Sequence, residues 1–118
     1  MAGSIMYLKT HTSDGTLLIA ICDRELIGQT FSDGLLTLEV SEFFYRGEIA
    51  SSSDIRDALE HAMVANLVGE RSVGHALEGG FIIEENILII DGIPHAQMAT
   101  AASLPVNASG ATDVIGRD

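Results

Sequence analysis

The sequence predicts an α+β fold: a two-layer α/β sandwich in which a mainly antiparallel sheet is covered by one long helix. Three observations carry this expectation. Two extended, apolar-rich segments flank Asp14-Gly15, a turn dipeptide typical of β-hairpins. Apolar residues at helical spacing run from Ile55 to Leu77 in one phase. A further apolar run, Ile87 to Ile90, follows the Gly79-Gly80 pair. Strands before and after a single helix indicate segregated layers.

Taken in order, Met6-Tyr7-Leu8-Lys9 reads as a short strand and Thr16 to Cys22 as a buried one, joined by the Asp14-Gly15 turn. Asp33-Gly34 marks a second turn. Leu36-Thr37-Leu38-Glu39-Val40 alternates apolar and polar, as a half-buried strand does. Phe43-Phe44-Tyr45 holds most of the aromatic mass and ends at Gly47. Ser51-Ser52-Ser53-Asp54 supplies hydroxyls that can cap a helix start. Ile55, Leu59, Ala62, Asn66, Gly69, Val73, Ala76 and Leu77 then fall within a stripe about 100° wide at the helical angle. One helix over about 54 to 78, with a kink allowed at Gly69, satisfies that stripe. Two helices are the alternative, because Gly costs a helix up to about 1 kcal/mol relative to Ala. Gly79-Gly80 ends the run. The segment 91 to 98, Asp-Gly-Ile-Pro-His-Ala-Gln-Met, is expected to turn out of the Ile87–Ile90 strand.

A chain of 118 residues makes one domain, placed at 6 to 99 between an N-terminal extension (1 to 5) and a mobile tail (100 to 118). Apolar residues at 47 % permit a real core, and the absence of Trp makes that core mainly aliphatic. No apolar run reaches the roughly 20 residues of a membrane span. The start of the chain lacks the pattern of a secretory signal, and the single Cys22 has no internal partner for a disulfide. Both features point to a cytoplasmic protein.

The net charge of −11 arises from seventeen acidic and six basic residues, and the basic ones are scattered. Affinity for bare nucleic acid comes largely from cations that neutralise phosphates, so direct binding of RNA or DNA is not expected. Solubility accounts for such acidity, and a partner with a basic surface would also suit it.

Asn66 stands inside the apolar stripe, where a buried amide requires a hydrogen-bond partner. It serves either as a structural amide or as the polar wall of a pocket beside Gly69, where a missing side chain lets a ligand or backbone approach. Pro94 gives His95 a rigid entry, and His95 and Gln97 share one face of an extended segment. An imidazole there can be acid, base or ligand, or make an inter-strand hydrogen bond. Residues 92 to 97 are expected to bring His95 or Gln97 near Asn66. No metal or cofactor is expected: His11, His61, His75, His95 and Cys22 have no ligand-like spacing, and no phosphate-binding glycine pattern occurs. His61 and His75 are expected to face solvent. Cys22, after Ile19, Ala20 and Ile21, reads as an inert core thiol.

Several stretches together resemble the archaeal group known as domain of unknown function 424. They are Met6-Tyr7-Leu8-Lys9 with His11; Cys22-Asp23-Arg24-Glu25-Leu26-Ile27-Gly28; Leu38-Glu39-Val40-Ser41-Glu42 with Phe44, Tyr45 and Gly47; Ala65-Asn66-Leu67-Val68-Gly69-Glu70-Arg71; and Gly92-Ile93-Pro94-His95-Ala96-Gln97. The resemblance implies an archaeal cytoplasmic protein with a two-layer α/β fold and no established activity. Two readings of function follow. One is a small module that binds a basic protein or a ribonucleoprotein in information processing, with translation suggested by the resemblance alone. The other is an enzyme or small-ligand binder built on Asn66, Tyr45, His95 and Gln97. They are separated by whether those side chains converge on a concave pocket or are engaged by other groups of the fold.

Overall fold

The computed structural model describes residues 5–100. The extension before Ile5 and the tail after Thr100 lie outside the described residues. Thirteen elements follow one another: β1 (Met6–Ser13), β2 (Thr16–Asp23), a 3-10 turn (Arg24–Leu26), β3 (Thr30–Asp33), β4 (Leu36–Glu39), α1 (Glu42–Tyr45), β5 (Glu48–Ala50), α2 (Ser52–His61), β6 (Val64–Val68), α3 (Glu70–Glu78), a second 3-10 turn (Glu84–Asn86), β7 (Leu88–Ile90) and β8 (Ile93–Ala99).

Six strands form one sheet in the order β5-β1-β2-β6-β8-β7, and β3 with β4 form a separate two-stranded hairpin. The β2–β6 pair is parallel and every other pair is antiparallel. The expected sheet under one long helix is therefore corrected to a mixed sheet with short helices. The stretch read as the middle of the helix is β6, and β6 lies between β2 and β8 in the sheet.

The physical reason lies in residues 62 to 69. From Ala62 to Gly69 there is no charged side chain, and Val64 and Val68 are β-branched. An interior strand covered on both faces reads as such a run rather than as an alternation. Met63 N–H bonds the Leu17 carbonyl as soon as α2 ends, so pairing with β2 overrides helical propensity. Gly69 has φ +108°, a conformation no α-helix can contain. The apolar phase survives because α2 and α3 bury the same face of the sheet, and the stripe meets β6 only at Asn66, which lies on the opposite face from the core residues Ala65 and Leu67. Ile55, Leu59, Ala62, Val73 and Ala76 are buried there with Met6, Ile21 and Leu67, and Leu77 packs half-buried against them.

The local signals hold where the chain itself makes them. The β1–β2 turn has positive φ at Asp14 and Gly15, as a tight hairpin of that kind needs. Helix α2 begins with a reciprocal box: Ser51 Oγ accepts from Asp54 N–H, and Asp54 accepts from Ser51 N–H. Phe43-Phe44-Tyr45 closes the short helix α1, capped by Ser41. Ile5 packs against the core, and its carbonyl accepts from Arg24 N–H.

The sheet separates two apolar clusters. Helices α2 and α3 cover one face. On the other, Tyr7, Ala20, Cys22, Val68 and Ile90 pack with Leu38, Val40 and Tyr45, which come from β4, the residue following it and α1. Cys22 is fully buried in this second cluster, and burial foremost pushes its thiol up to about 12. The native chain is therefore expected to resist iodoacetamide at neutral pH and to react once denaturant is added. Stoichiometric alkylation of the folded protein within minutes would contradict the burial of Cys22.

Candidate functional site

The parallel strands β2 and β6 end side by side, at Asp23 and Val68. A cleft of about 270 Å³ opens beyond their carboxyl ends, lined by Asp23, Glu25, Leu26, Gly69, Glu70, Arg71, Gly92, Ile93 and Pro94. Ligands of α/β sheets often bind in this position. Three of the stretches quoted above converge here: Cys22 to Gly28, Ala65 to Arg71, and Gly92 to Gln97.

Asp23 organises the cleft. It is 2 % exposed, and its carboxylate accepts hydrogen bonds from three groups at the start of α3. Ser72 N–H (2.9 Å) and Ser72 Oγ–H (2.8 Å) donate to Oδ1, and Arg71 N–H (3.0 Å) donates to Oδ2. The guanidinium of Arg71 lies 3.5 Å from Asp23 Oδ2 and 2.7 Å from Glu25 Oε2. Slight burial works to raise the Glu25 carboxyl, but its own backbone N–H and Arg71 outweigh this and hold it below the usual range.

Helix α3 has Gly at its N-cap and therefore no side-chain cap of its own. Its free N–H groups and the positive end of its dipole are answered by a carboxylate from β2. Gly69 is required twice. Its φ is +108°, and a Cβ there would lie 2.4 Å from Asp23 Cγ. Gly69 N–H bonds the Pro94 carbonyl, and the Gly69 carbonyl accepts from Val73 N–H. Pro94 has no N–H, and it sits in an interior strand where its neighbour's carbonyl is already engaged by the helix.

The other expected residues divide between places. Asn66 and Gln97 are cross-strand partners on β6 and β8, and Gln97 Nε2 donates to Asn66 Oδ1 at 2.8 Å. Asn66 is half-buried on a strand, not in a helical stripe. His95 Nδ1 lies 3.0 Å from the Leu67 carbonyl, which can only accept, so this nitrogen donates. His95 and Gln97 line a shallow depression of about 320 Å³ with Asn86, Leu88 and Ala96. Tyr45 lines neither cavity. It is buried in the second cluster, where its ring meets Phe44 edge-on, and burial foremost pushes its hydroxyl up to about 12. Residues 92 to 97 thus meet Asn66 as expected, through Gln97 rather than His95, while Gly69 and Pro94 belong to the neighbouring cleft.

Because the Asn66–Gln97 bond is exposed to solvent, Asn66→Ala is expected to lower stability by less than about 1 kcal/mol. A loss of 2 kcal/mol or more in urea unfolding would mean the amide is a buried anchor.

Asp23, Glu25, Arg71 and Ser72 went unread as a site in the sequence. A signal was present: Gly-Glu-Arg-Ser opens a helix without a capping side chain, so an acceptor from elsewhere is needed. His61 is exposed, as expected, with Nδ1 2.8 Å from the Asp57 carbonyl. His75 departs from expectation. It is half-buried between helices, with Nε2 3.2 Å from Ser52 Oγ and a buried Nδ1 that lacks a partner among the described residues. Among the described residues, no three His, Cys, Asp or Glu side chains group as a metal site, and no helix is long and apolar enough to cross a membrane.

An uncharacterized conserved protein from Methanopyrus kandleri has a similar crystal structure, with a TM-score of 0.66 and 28 % sequence identity over 79 % of this chain and 89 % of that one. No curated protein matches the sequence. A family model described as protein of unknown function (DUF424) matches residues 11–101. That span is most of the chain, and the protein belongs to this family.

Proposed function

We propose that this chain is a protein-binding module rather than an enzyme. The observation that carries the reading is the state of the polar candidates. In the cleft, the Asp23 carboxylate is engaged by the start of α3, and Arg71 by Asp23 and Glu25. Asn66 and Gln97 bond each other, and His95 bonds a backbone carbonyl. Catalysis needs a nucleophile or base within reach of a free position for the reacting atom, and no such set is assembled among the described residues. The start of α3, which would otherwise attract an anionic ligand, already faces an internal carboxylate.

The charge supports a basic partner. A chain of net charge −11 steers basic surfaces toward itself and repels bare phosphate backbones. Proteins that contact nucleic acid carry such basic surfaces. The notion of a cytoplasmic module in archaeal information processing, with a protein or ribonucleoprotein of the translation apparatus as partner, rests on that complementarity and on the family resemblance.

The test uses the full chain as bait in archaeal lysate, with and without nuclease. The expected result is a reproducible basic protein that survives nuclease treatment and elutes as salt is raised. Micromolar binding to an unstructured RNA, steeply weakened by salt, would contradict the reading. So would turnover of a substrate lost on changing Asp23 or His95 without loss of fold.

A further inference from the structure

We propose that the open edge of β7 receives an extended, basic segment of a partner protein as an added strand. This rests on the binding-module reading and names its docking surface.

Strand β7 ends the six-stranded sheet, and β8 is its sheet neighbour. The register sets Leu88 opposite His95, Ile89 opposite Pro94 and Ile90 opposite Ile93. Pro94 has no N–H to give, and its carbonyl accepts from Gly69 on the opposite side of β8. The ladder bonds to β8 therefore fall on Leu88 and Ile90, and the N–H and C=O of Ile89 face outward. An outward pair of this kind is a template for another strand.

Soluble proteins usually blunt such edges with charged side chains, with Pro or by keeping the strand very short. Strand β7 is short, at three residues, but it carries neither a charge nor Pro, and its Leu88 and Ile89 are 46 % and 54 % exposed. The hairpin β3–β4 stands beside this edge, where Asp91 N–H lies 3.4 Å from Asp33 Oδ2, and Leu36 on that hairpin is exposed too. The depression lined by Leu88, His95 and Gln97 adjoins β7 and can seat a side chain of an incoming strand.

The charge around the edge is of one sign. Asp33, Glu39, Glu84, Glu85 and Asp91 are all exposed, and neither the hairpin nor residues 81 to 99 contain a Lys or Arg. The occupant this surface fits is a strand that alternates apolar residues with Lys or Arg. Its backbone pairs with Ile89, its apolar side chains cover Ile89 on one face of the sheet, and its cations lie on the other face, beside Leu88 and the acidic hairpin.

The test titrates the full chain with a labelled ten-residue peptide that alternates lysine and valine, and with its glutamate counterpart. The lysine peptide is expected to bind and the glutamate peptide not to. Ile89→Pro removes the outward N–H and the exposed side chain but no bond to β8, so it should weaken binding at least tenfold with the melting midpoint retained. Changing Asp33 and Asp91 to Asn should weaken binding and flatten its salt dependence. On peptide addition, the Ile89 amide of the wild-type chain should become protected from hydrogen exchange, a readout that holds even if Ile89→Pro does not fold. No lysine-peptide binding, equal binding of the two peptides, full binding by a folded Ile89→Pro variant, or an Ile89 amide already protected in the free chain would each overturn the proposal. Dimerisation through this edge in sedimentation would overturn it as well. If lysate capture yields a basic partner that the Ile89→Pro variant retains, the edge proposal falls and the module reading stands. If capture yields none, both fall.

Discussion

Asp23→Ala is expected to cost about 3–5 kcal/mol, the range for removing one partner of a buried charged network. The substitution leaves Arg71 N–H, Ser72 N–H and Ser72 Oγ–H facing a cavity where a carboxylate was, and it strips α3 of its cap. Asp23→Asn separates charge from shape. One oxygen still accepts from Ser72, but the new amide meets Arg71 N–H donor to donor. Its expected cost is about 1–3 kcal/mol, that of a buried group left unsatisfied. Urea unfolding followed by circular dichroism checks both. If Asp23→Ala lost less than about 1 kcal/mol, the carboxylate would not be what holds α3 to β2.

Gly69→Ala should be comparably damaging for a different reason. The residue sits at φ +108° and ψ 159°, a region that side chains enter at a strain of about 1–3 kcal/mol. The added methyl would also lie 2.4 Å from Asp23 Cγ, and such crowding costs about another 1–3 kcal/mol. Together the expected loss is about 2–6 kcal/mol, a large share of the stability of a domain this size. The double variant Gly69→Ala with Asp23→Ala discriminates the causes. It should lose clearly less than the sum of the single losses, because deleting the carboxylate removes the clash. Strict additivity would show that backbone strain alone is responsible.

These two residues also show where sequence reading succeeds and fails. The β1–β2 hairpin, the Ser51 cap and the burial of Ile55 and Leu59 were legible, because each depends on neighbours in sequence or on a face a helix must bury. The single helix was not. Periodicity reports which residues seek the core, and α2 and α3 bury the same one, so the strand between them, which the stripe meets only at Asn66, left no break in phase. Gly69 stands out in the sequence as a place of close approach, and the Asp23 carboxylate is one group that approaches it. Asp23 itself was invisible as a cap. Its partners lie 48 and 49 residues away, and the parallel β2–β6 pairing that joins them is not written in either segment. Asn66 was singled out for a helical position it does not occupy, yet its meeting with Gln97 was anticipated, since an amide in an apolar stretch must find a partner.

Whether the cleft is a clasp or a ligand site can be read most directly from the backbone amides at the start of α3. Inorganic phosphate titrated into the nitrogen-15-labelled full chain offers a competing anion to the N–H groups of Arg71 and Ser72. With Asp23 seated on this helix end, those two resonances should stay in place up to about 10 mM phosphate, roughly tenfold above the concentration that half-fills a site with a dissociation constant of about 1 mM. A saturable shift of Arg71 and Ser72, with Asp23 displaced, would contradict the clasp and restore the cleft as a binding site for an anionic ligand.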